Sequence, residues 1–186
     1  MEMGKYGDEI LVVATGGSID MHLDDETERL ELNVNSQVPV LLRRLGLGLN
    51  FLEYTACMKD STAITKDNRN ELYTLLNQRD SKRVIITHGL RTMYDTAKDL
   101  SDRSTRDYPS SMDVPVQSIA NKTVVLVGAN RPAGFPESDA ITNLCIGIGA
   151  VQALPSGIYF VKQGGLYVPN NEDGQRYITP DRRDRK

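Results

Sequence analysis

The chain has 186 residues, 39% of them hydrophobic, with two cysteines, two histidines and a formal net charge of −3. That length supports one well-buried core rather than two full domains, and the weak negative charge excludes the broad basic field that nucleic-acid binding needs. Cys57 and Cys145 suggest neither a metal site nor a disulfide framework, no stretch approaches the ~18 apolar residues of a membrane span, and the polar start MEMGKYGDE has no apolar signal core. A reduced, cytoplasmic setting is therefore expected.

The first element is the continuous apolar run Glu9 to Thr15, ending at Gly16-Gly17, the pattern of a central strand buried on both faces. Asp20 to Asn33 is acidic and lacks helical periodicity, and reads as a long loop or irregular hairpin, a candidate lid. From Ser36 the period becomes 3.6, with Val38, Leu41, Leu42 and Leu45 on one helical face and Arg43 and Arg44 on the other. Asn50 to Met58 reads as a strand, Thr65 as the cap of a helix carrying Leu72, Leu75 and Leu76, and Arg83 to Thr87 as a further strand.

A helix from about Thr92 presents Met93, Ala97 and Leu100, and the polar run Ser101 to Ser111 reads as an exposed connection. Lys122 to Gly128 is a buried strand, Pro136 to Leu154 a helix displaying Ile141, Leu144, Cys145, Ile148 and Val151, and Gly157 to Val161 a last short strand. Five strands alternating with helices predict an α/β fold: one doubly wound, mostly parallel sheet flanked by helices, in a single domain over 1–186. Its core spans about 9–162, with a polar tail at 170–186. DRRDRK at the end reads as a solvated, mixed-charge terminus.

Ligands of such sheets sit beyond the carboxyl ends of the strands. ATGGSI follows the first strand, KDST the second and HGLRT the third, while the fourth opens on Lys122 and closes on GANRP. A hydroxyl on a Gly-Gly turn can be approached closely, with free amides beside it for an oxyanion. A lysine of lowered pKa can act as its base. TGGS could also be a phosphate-binding turn, although neither GxGxxG nor GxxxxGK[ST] is present. His88 reads as structural, and Arg91 has Asp95 at i+4 as a surface ion-pair partner.

Taken together, Thr15-Gly16-Gly17-Ser18-Ile19, Lys59-Asp60-Ser61-Thr62, Ile86-Thr87-His88-Gly89 with Thr92-Met93, and Lys122 to Pro132 followed by Ser138-Asp139-Ala140 and Asn143-Leu144 resemble the bacterial-type L-asparaginases in order and spacing, from about Ile10 to Val161. The match is to that family's catalytic N-terminal domain, which makes the chain similar to a short-chain, one-domain member. The resemblance implies hydrolysis of asparagine to aspartate and ammonia through an acyl-enzyme, without metal or cofactor. It implies Thr15 as nucleophile, Lys122 as base and Ser61 as holder of the substrate α-carboxylate; Asp60, Gly17 and Gly89 beside them, and Arg91 at an altered family position, are the other candidate substrate-binding residues. It also implies a small amino-acid-like or carboxylate ligand, with no nucleic-acid or membrane partner, and a homodimer or homotetramer.

The family's third motif reads HGTDT, and Leu90 and Arg91 stand where its Thr and Asp would be. The first change removes a hydroxyl from the relay; the second removes the carboxylate that polarises the lysine and anchors the substrate ammonium, groups that fail together. Arg91 brings a cation instead, and like charges in a closed site cost on the order of several kcal/mol. No tyrosine lies between Tyr6 and Tyr54 to cover the nucleophile, and Ala63 replaces an Asp that often follows the serine motif. The acidic lid, with Asp24, Asp25, Glu26, Glu28 and Glu31, offers a replacement carboxylate. Three functions stay open: an impaired or altered asparaginase, a non-catalytic ligand-binding or scaffolding member of the fold, and a hydrolase retuned to an anionic amide.

Overall fold

A computed structural model describes residues 9–106, 118–169 and 175–176. The first apolar run forms β1 (Ile10–Gly16), buried along its whole length. Strand alternation sends Ile10 and Val12 to one face and Leu11 and Val13 to the other, and each face has its own core. On the first face pack the helices α1 (Val38–Leu45) and α4 (Ala140–Ala153), through Leu41, Leu42, Leu144, Ile148 and Val151. On the second pack α2 (Lys66–Asn77) and α3 (Leu90–Arg106), through Leu72, Leu76, Met93, Ala97 and Leu100. This two-sided cover explains why β1 is a continuous apolar run rather than an alternating one.

Between β1 and α1 stand two short strands, β2 (Met21–Leu23) and β3 (Leu30–Leu32), paired antiparallel. The other strands are β4 (Phe51–Lys59), β5 (Arg83–Thr87), β6 (Thr123–Val127), β7 (Gly157–Lys162), β8 (Gly165–Val168) and β9 (Gln175–Arg176). They form a sheet with β1 in the order β4-β1-β5-β6-β7-β8-β9. Its first five strands run parallel, and the last two turn back antiparallel. The fold is thus the expected doubly wound, mostly parallel sheet. Because β4 and β5 flank β1 on opposite sides, the crossovers diverge at β1, and a crevice opens at the carboxyl ends of β1 and β5.

Several local expectations hold for identifiable reasons. Thr65 caps α2 in a reciprocal box: its hydroxyl accepts from Asn68 N (3.3 Å) while Asn68 Oδ1 accepts from Thr65 N (3.2 Å). The acidic segment after β1 is the hairpin β2–β3, its turn held by Asp24, whose carboxylate accepts from the amides of Glu26 and Thr27. Others are corrected. Ser101 to Arg106 continues α3 instead of forming a connection, supported by the i,i+4 pairs Lys98–Asp102 (3.3 Å) and Arg103–Asp99 (3.0 Å); residues 107–111 of that expected connection lie outside the described residues. The last helix starts at Ala140 rather than Pro136, because turns at Pro132–Phe135 and Phe135–Ser138 precede it. Of the residues expected on its buried face, Ile141 and Cys145 are exposed. The hairpin strand β8 was not anticipated, nor was β9, which lies in the stretch read as a polar tail.

Candidate active site

Chain crossings at the carboxyl ends of β1, β4, β5 and β6 are made possible by glycines. Gly16 and Gly17 have φ of 92° and 81°, a region that side chains disfavour. A Cβ on Gly17 would stand 2.3 Å from Gly89 N, and one on Gly89 would stand 2.7 Å from the Ser61 side chain. Gly17 N donates to Lys59 O (3.0 Å), tying the turn to the end of β4. The motifs around Gly17, Ser61 and Gly89 are therefore one contiguous structure, with Asp60 beside it.

Two hydroxyls flank the glycine pair, and they differ in access. Thr15 is 2% exposed and donates to Thr87 O (2.8 Å) across the sheet. It lies on the face covered by α2 and α3, where it lines a small cavity with His88, Thr96 and Asn68. Against the expectation of Thr15 as nucleophile stands its burial on the helix-covered face of the sheet. Ser18 opens a single 3-10 turn (Ser18–Asp20) beyond the glycines. It is only partly buried, and its hydroxyl donates to Ala129 O at the end of β6. The alternation of β1 carried this information, since a residue two beyond Val13 shares its helix-covered face.

Ser61 and Asp60 sit in the 3-10 turn after β4. Asp60 is exposed, and its carboxylate accepts from Thr62 Oγ1 (2.5 Å) and Thr62 N (2.9 Å). Those bonds, with a smaller contribution from the Arg91 cation, hold its pKa below the ordinary value. Ser61 is buried, and its carbonyl accepts from Thr92 Oγ1 (2.6 Å). Thr92 has φ −121° and ψ 15°, a kink that separates Leu90 and Arg91 from the body of α3. Leu90 points at β6: its Cδ2 lies 2.6 Å from where a Cβ on Gly128 would be. Arg91 is exposed, and the expected ion pair with Asp95 is not formed.

His88 is fully buried. Its Nδ1 meets the Gly89 carbonyl (2.9 Å), which can only accept, so Nδ1 carries the proton and Nε2 accepts from Thr96 Oγ1 (2.9 Å). Burial holds its pKa down at about 4. It is a neutral strut beneath the Gly89 turn, in line with its structural reading.

Lys122 requires the larger correction. It precedes β6, and residues 83, 123 and 10 are level across the sheet, as are 87, 127 and 14. Lys122 therefore stands at the amino ends of the strands, level with Glu9, while Thr15 and Ser18 lie at and beyond their carboxyl ends, at least six residues or ~20 Å away along the sheet. Its ammonium donates to the Ser81 (2.9 Å) and Arg79 (2.5 Å) carbonyls. Burial pushes its pKa down, Asp80 opposing, but a lysine at this end reaches neither Ser18 nor Thr15. The lid acids bring no substitute: Asp24 is occupied by its own turn, and Asp25, Glu26, Glu28 and Glu31 are exposed on the hairpin.

The buried carboxylate of this region is Asp20, which neither motif analysis nor charge pattern singled out. Its Oδ1 accepts from Gln37 N (2.6 Å) and Ser36 Oγ (2.9 Å), and its carbonyl from Asn33 N (2.8 Å) and Asn33 Nδ2 (2.7 Å). It thus ties the turn of Ser18 to both the end of β3 and the start of α1. Burial pushes its pKa up against those two hydrogen bonds. Among the described residues no group of three or more His, Cys, Asp and Glu side chains could hold a metal ion, and no helix is long and apolar enough to cross a membrane.

The family model for the asparaginase N-terminal domain matches residues 9–167. A comparison with curated protein sequences finds no match. Among solved structures, the thermostable L-asparaginase from Thermococcus kodakarensis superposes with a TM-score of 0.68 at 22% identity, over 87% of this chain and 46% of that one. A probable cytoplasmic L-asparaginase from Campylobacter jejuni gives 0.67 at 20%, over 87% and 48%. L-asparaginase I from Vibrio cholerae O1 biovar eltor gives 0.68 at 17%, over 92% and 51%. The likeness is one of fold, and the chain spans about half the length of the structures it matches.

Proposed function

We propose that this chain, which belongs to the asparaginase family, is an L-asparaginase-like amidohydrolase whose nucleophile is Ser18 and whose turnover is impaired or redirected by Leu90 and Arg91. The observation that carries the reading is the position of Ser18: a partly accessible hydroxyl just past two positive-φ glycines, over the crevice between β1 and β5. In this scheme Ser18 Oγ attacks the carbonyl carbon of a primary amide. The C–N bond breaks, the hydroxyl proton leaves with the nitrogen as ammonia, and an ester remains. Water then cleaves that ester, releasing the carboxylic acid and restoring the hydroxyl.

The roles follow from the surroundings. The Gly89 amide is the donor for a developing oxyanion, while the Gly17 amide is held by the Lys59 carbonyl and shapes the turn. Ser61 and Asp60 line the substrate side, and Arg91 offers its cation to a substrate carboxylate. Among the described residues no base bonds to the Ser18 hydroxyl. Its only partner among them is the Ala129 carbonyl, which holds the hydroxyl proton but cannot remove it. That supports slow or redirected catalysis, and it also favours the second reading, a small-carboxylate binder without turnover. The wider expectations belong to the same proposal: one domain-sized unit, a cytoplasmic setting, a homo-oligomer, and no nucleic-acid partner.

Ammonia release should be measured with asparagine, glutamine and the monoamides of simple dicarboxylic acids. The expected result is release faster from the monoamides than from asparagine, abolished by Ser18→Ala and unchanged by Lys122→Met. Release that survives Ser18→Ala would refute the nucleophile assignment. No release from any amide, together with a rise in melting temperature with succinate or aspartate, would establish the binder.

A further inference from the structure

On the face of the sheet that α1 covers, the core is left open at one place. β1 and β4 pair with Val12 level with Glu53 and Ala14 level with Thr55, so alternation sends these four side chains to that face. Glu53 and Thr55 are exposed there, while Phe51, level with Ile10, packs against the core. Between the two strands and the start of α1 lies a recess of about 240 Å³. Val12 and Ala14 form its floor, Ser36 and Val38 its wall, and Glu53 and Thr55 its rim. The volume is just under the ~300 Å³ at which pockets for drug-sized ligands begin, so whatever it takes is small.

The polar groups of the rim are unspent. Among the described residues neither the Glu53 carboxylate nor the Thr55 hydroxyl has a hydrogen-bond or ion-pair partner. The Arg79 guanidinium, 5.4 Å from the centre of the Tyr54 ring, lies on the opposite face, since Tyr54 is level with Val13. Among the described residues no basic one lines the recess. Its wall adds a second acid: Ser36 Oγ donates to Asp20 Oδ1 (2.9 Å), and Asp20 is fully buried with no hydrogen-bond partner for Oδ2. A cation in the recess is the counter-charge that both carboxyl groups lack, and apolar walls strengthen its attraction to them.

We infer that this recess is a binding site, separate from the crevice at Ser18, for a small primary ammonium with a short hydrocarbon body. The ammonium donates to the Glu53 carboxylate and the Thr55 hydroxyl on the rim, and the hydrocarbon lies against Val12, Ala14 and Val38. An alcohol of the same size fills the recess without meeting the charge. A carboxylic acid sets another carboxyl group against Glu53 and Asp20, which is repulsive. The site therefore takes amines and rejects the carboxylate-bearing amides proposed for Ser18.

The test titrates n-propylammonium, n-propanol and propionate into the nitrogen-15-labelled full chain at constant ionic strength and follows backbone amides by NMR. Propylammonium is expected to give saturable shifts at Val12 to Ala14, Ser36 to Val38 and Glu53 to Thr55. Propanol should bind there at least about fivefold more weakly, and propionate should not shift those amides. Glu53→Gln, an exposed change, should weaken propylammonium by about fivefold or more with unchanged circular dichroism. Thr55→Arg, which sets the protein's own cation on the rim, should abolish the binding. The readout is binding at named amides, so it stands whether or not Ser18 turns over an amide. Equal affinity for propanol and propylammonium overturns the inference, as does binding that survives both Glu53→Gln and Thr55→Arg. Shifts that never saturate, or that gather on the acidic hairpin from Asp24 to Glu31 instead, show a loose counter-ion and overturn it as well.

Discussion

At the carboxyl ends of the parallel strands, four loops press together at glycines: Gly17 lies on the Gly89 backbone, Gly89 on the Ser61 side chain and Gly128 on the Leu90 side chain. Polar side chains there either serve the scaffold, as His88 does, or stay accessible, as Ser18 does. At the amino ends a long side chain does the closing instead. Lys122 folds its stem inside and spends its ammonium on the Arg79 and Ser81 carbonyls, which strand and helix ends leave without partners. The difference teaches that a lysine in the right motif order is no guide to chemistry until the end of the strand it occupies is known.

The largest effect expected at the carboxyl end is that of Gly17→Ala. The positive φ and the overlap with Gly89 N should together cost about 4 kcal/mol, measured by denaturant unfolding. A loss under about 1 kcal/mol would mean that the loops are not in close contact. His88 gives the next effect. Its imidazole is held neutral down to about 4 against an ordinary 6.5, so protonation favours the unfolded chain. Stability present above pH 6.5 should fall as the pH drops towards 4, by as much as about 3 kcal/mol. His88→Gln should flatten that part of the curve.

At the amino end, Lys122→Met should cost about 1–3 kcal/mol by leaving buried carbonyls without donors, with any ammonia release unaltered. An activity loss at unchanged stability would reverse the comparison between the two ends. The smallest effect concerns Asp20. Its pKa is raised by burial, so its ionisation costs stability as the pH rises through the ordinary range. Asp20→Asn should be the more stable protein at neutral pH, with the advantage closing in acid, provided Asn keeps the bonds from Ser36 and Gln37. Thermal melts at two pH values decide it.

Much of the fold was legible because its signals are local. The β1 run, the Thr65–Asn68 box and the 3.6-residue period of α1 each rest on residues a few positions apart. The edge strands were not legible: GLYV reads as a strand only once β7 lies beside it. In the site, the Gly-Gly turn and its neighbours at Ser61 and Gly89 could be read from motif order. Thr15 and Ser18 could have been separated by strand alternation. Lys122 could not be assigned, because its destination depends on Arg79 and Ser81, some forty residues away.

By itself, then, the sequence determined the alternation of strands and helices, the glycines at the strand ends and the family frame, since periodicity, capping and turn chemistry act between near neighbours. Only the tertiary structure decided which hydroxyl is accessible, which end of the sheet Lys122 closes, where Leu90 packs and that Asp20 is buried. Those facts arise where distant segments meet, and a carbonyl or a carboxylate acquires its partner, or its burial, only when the chain has closed around it.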